Sequence, residues 1–416
     1  MPRFLGCLAI VLCLPAASVR AELAVSTNFE GGSAKVVAID QRAKTIRIMP
    51  GGDPAQGWPC WWYLRIDGAT AEDAITLEVV ASDAKMPPRG NSPARLLPAS
   101  WCQPSRAHYS SDGQIWTQTE RSPPAKDGVR TYQIPGASGP LWLAWGPPFT
   151  PRDSAELVKS LAAGHEWAEA TELCRSNGGR PCPMLRLKQG EQADAKRLAI
   201  WLQARQHAWE SGGSWVCRGA AEWLAGDDPR AAALREKCEI VIVPIMDIDN
   251  TLAGNGGKDA VPRDHNRDWT DEPFHAEVAA AQQALAKFSE ENRLALFVDL
   301  HNPAPDDGLP FFFVSPEDLL TDAGRRNLDR FLTISRGEIN GPLPLSDKTR
   351  SSGPGYDPLW KQISKNWVSV HAPPFAVSVT LETAWSNAHS HAEGYRTVGR
   401  QLAQAIEKYL RDDPRK

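Results

Sequence analysis

The sequence predicts a two-part chain: an N-terminal antiparallel β-sandwich, then an α/β domain with a mixed, largely parallel sheet. Three observations predict it. From residue 22 to about 145, short alternating or β-branched segments follow one another without a helix-period stretch between them. A Pro-rich junction, "GPPFTPRD", then marks a change of pattern. Beyond it, short apolar runs alternate with amphipathic helical segments, as expected for strands buried on both faces.

Taken in order, residues 1–21 read as an export signal. Arg3 precedes the apolar core "FLGCLAIVLCLP", too short to span a bilayer, and "SVRA" offers a small-residue cleavage site after Ala21. The expectation is a secreted or periplasmic protein without stable membrane insertion. Residues 22–148 form the predicted sandwich, with strands in "AKVVAIDQRAKTIRIMP", "CWWYLRID", "AITLEVVAS", "GQIWTQTE", "VRTYQI" and "LWLAWG". "SSDG" and "KDG" supply turns. The Trp-rich segments are assigned to the core, with a sugar-binding face as the other reading. Residues 149–416 open with a helix in "DSAELVKSLAAG", capped by Asp153 or Ser154. Strands then follow in "RLAIWLQA", "EIVIVPIMD", "RLALFVDLHN" and "FAVSVTLET", with helices between and after them.

Removing residues 1–21 deletes Arg3 and Arg20 and no acid, which moves the formal charge from -4 to -6. That mild acidity gives no electrostatic basis for nucleic-acid binding. Six cysteines remain, and in an oxidising compartment Cys174–Cys182 and Cys217–Cys238 are the disulfides that proximity suggests. Buried free thiols are the alternative.

In open α/β sheets, ligands bind beyond the carboxyl ends of the strands. Polar residues collect there. His207 and Glu210 follow one strand, Asp247, Asp249 and Asn250 another, His301 a third and Glu382 a fourth. Two His and one Glu are a standard ligand set for a catalytic zinc that keeps one position open. His207 and Glu210 offer two ligands from one turn, and His301 could supply the third. Asp299, two residues earlier, is read as facing away. Glu382 beside the metal would serve as general base and then proton donor. In "RDHNRDW", Asn266 and Arg267 offer an amide and a guanidinium fork that can clamp a carboxylate.

As an ordered set, "HAWE", "VPIMDIDNTLAGN…RDHNRDW", "DLHN" and "TLE" resemble the motifs of the zinc carboxypeptidases of the carboxypeptidase A type. "CWWYLRIDG", "YSSDGQIW", "LWLAWGPPFT" and "GGRPCPMLRL" are similar to the cytosolic-carboxypeptidase branch, which has an N-terminal β-sandwich. The resemblance implies a Zn2+ enzyme acting on peptides, with His207, Glu210 and His301 as ligands and Glu382 as base. It implies that Asn266 and Arg267 hold the substrate's terminal carboxylate. It also implies a basic residue that polarises the scissile carbonyl and a tyrosine that closes over substrate. At the aligned basic position this chain has Gly257, so Lys258 or Arg263 would take the role, and Tyr356 is the tyrosine candidate. Trp209 crowds a position usually small or basic, and Asp247 replaces a usual Asn. The expected function is an exported metallocarboxypeptidase that cuts C-terminal peptide bonds, or cell-wall peptide amides, with zinc-activated water. A catalytically weak zinc-bearing protein that binds peptide or glycan is the alternative. Lys348 and Arg350 could favour acidic C-terminal residues.

Overall fold

The computed structural model describes residues 22–89 and 93–416, so the export signal expected in residues 1–21 lies outside the described residues. The N-terminal part contains two sheets. One has the order Ala24–Ser26, Tyr63–Asp67, Leu141–Ala144, His108–Ser110, Thr117–Gln118. The other has the order Arg130–Ile134, Ile75–Val79, Thr45–Met49, Lys35–Asp40. Neighbours run antiparallel, except that Thr45–Met49 and Ile75–Val79 are parallel. Period-two patterning decides the faces. Ile75, Leu77 and Val79 are buried, while Thr76 and Glu78 between them are partly exposed. Trp61, Trp62 and Trp145 are buried too, so the tryptophan-rich segments build core and not a sugar-binding face.

The second part is an eight-stranded mixed sheet among the described residues. Its centre is four parallel strands, Cys238–Val243, Leu198–Ala204, Leu294–His301 and Val377–Glu382, in that spatial order. Every residue in these four strands is buried, which explains their near-continuous apolar composition. Antiparallel partners flank them: Ala168–Arg175 and Pro181–Leu187 on one side, Phe311–Val314 on the other. The strand Arg350–Ser351 closes that second edge. The first edge pair alternates polar residues and holds Pro181 and Pro183, so it lacks the run that reveals the central strands. Parallel register brings the carboxyl ends of the four central strands to one edge.

Among the described residues all six cysteines are free, which corrects the expectation of disulfides. Cys217 sits within the buried helix Ser211–Ala225 and Cys238 opens a fully buried strand. Each is packed as a small apolar side chain, and burial pushes the Cys238 thiol up to about 12. Among the described residues, no helix is long and apolar enough to cross a membrane.

Candidate metal centre and active site

Register assembles the site. His301 and Glu382 are paired residues at the ends of adjacent parallel strands. On the other side, Leu300 pairs with Ala204, so the chain leaving Ala204 emerges beside them. There Arg205 adopts a left-handed φ of 65°, a conformation that costs a non-glycine residue about 1–3 kcal/mol. Buried bonds from its Nε to the Ala208 carbonyl (2.6 Å) and from its Nη1 to the Phe149 carbonyl (3.0 Å) offset that cost. The turn folds His207 and Glu210 over the strand ends, and the Glu210 N–H donates to the His207 carbonyl at 3.1 Å. Glu210 is then the N-cap of Ser211–Ala225.

Three donors converge there. Glu210 Oε1 lies 2.8 Å from His207 Nδ1, and its Oε2 lies 2.7 Å from His301 Nδ1. All three residues are buried, and their candidate ligand atoms lie within 4.8 Å of one another. The outer nitrogens are tied down as well. His207 Nε2 meets Asp264 Oδ1 at 3.1 Å, and His301 Nε2 meets Asp299 Oδ2 at 3.0 Å. A carboxylate behind each imidazole fixes the tautomer and leaves the Nδ1 lone pair facing inward, the usual support of metal-ligating histidines. Asp299 therefore corrects the sequence reading. Residues two apart on a strand share a face, so it points the same way as His301. The donor set fits a cation such as zinc.

Glu382 borders the same cavity of about 200 Å³. Its Oε2 is buried without a hydrogen-bond partner among the described residues. Burial, with Glu210 adding to it, pushes the Glu382 carboxyl up to about 7. Asn266 and Arg267 also line this cavity. The Asn266 carbonyl oxygen accepts from the Ser364 N–H at 2.9 Å. Arg267 donates from Nη1 to the Asn266 backbone carbonyl (2.8 Å) and from Nη2 to Asp357 (3.1 Å), while its Nε is buried without a partner among the described residues. Tyr356 lies in the cavity wall, half-exposed, with the Arg267 guanidinium 5.9 Å from its ring centroid.

Between the two basic candidates the cavity holds Lys258 and not Arg263. Arg263 Nη1 is spent on Asp268 (3.1 Å), Thr270 (3.0 Å) and the Glu272 carbonyl (3.0 Å). Arg350 borders the cavity but is paired with Asp307 at 2.7 Å; Lys348 is exposed and outside it. Trp209 is buried against Trp101, Trp145 and Trp385, with ring centroids 5.9, 5.2 and 5.7 Å away. It seals the metal centre against the sandwich.

Sequence reasoning missed Asp264, Trp101 and above all Lys365. The Lys365 ammonium is buried in the cavity lining, bonded to Ser352 and to Asn366 (2.7 Å), with no carboxylate ion pair among the described residues. Burial holds its pKa well below the usual lysine range. Its only signal was a lysine in the otherwise moderately apolar segment "QISKNWVSV".

A second donor group, His265, His275 and Glu277, lies apart from the first. Its two imidazoles stack at 3.5 Å with planes 19° apart, so their in-plane lone pairs do not aim at one point. His265 instead stands between carboxylates, with Nδ1 3.6 Å from Asp247 and Nε2 3.9 Å from Glu277. Burial opposes its charge, but Asp247 and Glu277 outweigh burial and push its pKa up to about 9. A histidine raised in this way stabilises the fold fully below its ordinary value and loses that contribution as pH rises. The unfolding midpoint is therefore expected to fall between pH 6.5 and about pH 9. His265→Gln should flatten that fall, and an unchanged pH slope in the variant would show that the pair does not act this way.

Residues 156–304 match the family model described as zinc carboxypeptidase, and residues 25–138 match that of the cytosolic carboxypeptidase N-terminal domain. The chain is 26% identical over 294 residues to an uncharacterised protein of Zymomonas mobilis, covering 70% of each. It is 28% identical over 163 residues to mouse cytosolic carboxypeptidase 4, covering 36% of this chain but only 14% of that protein. A metallo-carboxypeptidase crystal structure from Burkholderia cenocepacia shares the fold at a TM-score of 0.78 and 22% identity, covering 94% of this chain and 99% of that one.

Proposed function

We propose, from the premise that the chain belongs to the zinc carboxypeptidases and carries the N-terminal domain of their cytosolic branch, that it is an exported enzyme. Its reaction would be hydrolysis of C-terminal bonds in peptides, cell-wall stem peptides included. The observation that carries this reading is a convergence within one cavity. Three candidate metal donors share it with a carboxylate oxygen of Glu382 and an Nε of Arg267 that have no partner among the described residues.

Zinc held by His207, Glu210 and His301 would supply Lewis acidity, making water a better nucleophile and a peptide carbonyl a better electrophile. The chain's own residues do the rest. Arg267 Nε–H and Asn266 receive the terminal carboxylate, and the bonds of Arg267 to Asn266 and Asp357 fix the plane of its guanidinium. Glu382 Oε2 takes the proton from the attacking water and returns it to the departing amine. Trp209 keeps bulk water from one side of the centre.

Lys365 sets the side-chain preference in this reading. A buried ammonium with no carboxylate partner is poorly stabilised, and an arriving acidic side chain restores its charge. Peptides ending in Glu or Asp are expected to be cut more than tenfold faster than the same peptides ending in Leu. Lys365→Met should remove that ratio. A ratio that survives the substitution assigns the preference elsewhere.

The whole reading is tested by bound-zinc analysis together with hydrolysis of a peptide library. One zinc per chain with release of C-terminal residues supports it. One zinc per chain with no peptide cut would favour the alternative, a catalytically weak zinc-bearing protein that binds peptide or glycan. Sequencing the N-terminus of the protein from its host tests export, since cleavage is expected after Ala21.

A further inference from the structure

Two segments of the second part border the cavity. Residues 257–261 send Lys258 into it, and residues 353–360 place Tyr356 in its wall. A side chain from the N-terminal part reaches both. Arg89, three residues beyond the short strand Lys85–Met86, forms one ion pair with Asp259 on the first segment. Through Nη2, at 3.6 Å, it forms another with Asp357 on the second. Each carboxylate is also held by its own segment or by a neighbour. Asp259 has a left-handed φ of 58°, which an Asp tolerates, and its N–H donates to Asp264 Oδ2 at 2.9 Å. Its Oδ2 accepts from Trp58 Nε1–H at 2.9 Å. Asp357 Oδ1 accepts from the Leu359 N–H at 2.7 Å.

The oxygen that Arg89 meets on Asp357 is the one that Arg267 uses. Asp357 Oδ2 lies 3.1 Å from Arg267 Nη2, so one carboxylate oxygen stands between two guanidinium groups. Burial opposes the Asp357 charge, but Arg267, the Leu359 N–H and Arg89 hold its carboxyl below the usual range. With Arg89 in place, Asp259 and Asp357 share a counter-charge. Without it, Asp357 would bear wholly on Arg267, and two carboxylates beside the cavity would repel an anionic chain end.

We infer that Arg89 is a positioning residue for substrate capture: anchored on Asp259 and sharing Asp357 Oδ2 with Arg267, it holds the Arg267 guanidinium in place and keeps it electropositive toward the peptide's terminal carboxylate. The inference rests on the peptidase reading above. It gives the N-terminal part a role in binding substrate and none in breaking the bond. The terminal carboxylate is bound alike before and during the reaction, so loss of this support raises KM and leaves kcat alone.

The test compares the full-length wild type with Arg89→Met, Arg89→Lys, Asp357→Asn and the double variant Arg89→Met/Asp357→Asn. Each is analysed for zinc content, and for kcat and KM on one peptide. A partly exposed ion pair changes an equilibrium by up to about fivefold, and Arg89 makes two. Arg89→Met is therefore expected to raise KM about three- to tenfold, with kcat and zinc content unchanged. Arg89→Lys keeps the charge and should recover most of that loss, which a merely structural role would not require. The double variant shows whether Asp357 carries the effect. With no carboxylate there to share, adding Arg89→Met to Asp357→Asn should raise KM by no more than about twofold. If Asp357→Asn does not fold, Arg89→Glu decides instead, since the reversed charge must raise KM beyond Arg89→Met. A wild-type KM in Arg89→Met, a lower kcat without a change in KM, or a full rise in the double variant overturns this inference while the peptidase reading stands. A wild type that cuts no peptide overturns both together.

Discussion

Glu382→Gln is expected to lower kcat by about three orders of magnitude or more while the protein keeps its zinc. The two halves of that expectation have separate causes. The candidate metal donors are His207, Glu210 and His301, and Glu382 is outside that set, so an amide in its place leaves them untouched. The amide has the same shape and fits the same strand end. It cannot accept a proton. The carboxylate works twice in the proposed cycle, first as acceptor from water and then as donor to the leaving amine. Positioned proton transfer contributes about 10²–10⁴-fold in each such role. Steady-state kinetics beside zinc analysis checks both halves. A Glu382→Gln variant with zinc and more than a tenth of the wild-type rate would remove Glu382 from the base role. Loss of zinc in that variant would place the carboxylate among the ligands.

His301→Ala is expected to lose metal and activity together. Partners behind a ligating histidine are typically worth 10–100-fold in metal affinity, and a ligand is worth more. Removing the imidazole also strips Glu210 Oε2 and Asp299 Oδ2 of their common neighbour. Two buried carboxylates left without it destabilise the fold, by about 3–5 kcal/mol where one partner of a buried pair is deleted. Asp299→Asn provides the graded comparison: it keeps the ligand, weakens its support, and should bind zinc 10–100-fold less tightly. Equilibrium titration against a chelator reads both variants. Wild-type zinc affinity in His301→Ala would exclude it as a ligand.

The central strands were legible in the sequence because burial on both faces requires runs such as "LALFVDL" and "FAVSVTL". The polar residues that break those runs, His301 and Glu382, stand out for the same reason. The edge strand Ala168–Arg175 has no fully buried residue, and its neighbour Pro181–Leu187 intersperses buried positions with partly exposed ones, so neither carries such a run. The alternation rule also had to be applied correctly: Asp299 shares the face of His301, and the sequence alone sufficed to see it. Lys365 was beyond reach. It enters the cavity because the segment after Trp360 folds across the strand ends, and no local pattern encodes that approach. The cysteines were misread for a different reason. Their even number suggested pairs, whereas among the described residues all six are free and five of them are buried.

The tryptophan cluster around Trp209 has a consequence for the order of folding. Trp145 belongs to the first part of the chain, Trp209 to the metal-binding turn, and Trp385 follows the strand that ends at Glu382. The turn that presents His207 and Glu210 is thus wedged between pieces separated by up to 240 positions, from Trp145 to Trp385. Contacts so distant in sequence carry a large loop-closure cost and form late. The candidate metal centre is therefore expected to be among the last features of the molecule to take shape. A partly folded chain, even one with its parallel strands paired, does not yet hold the geometry that a metal ion would recognise.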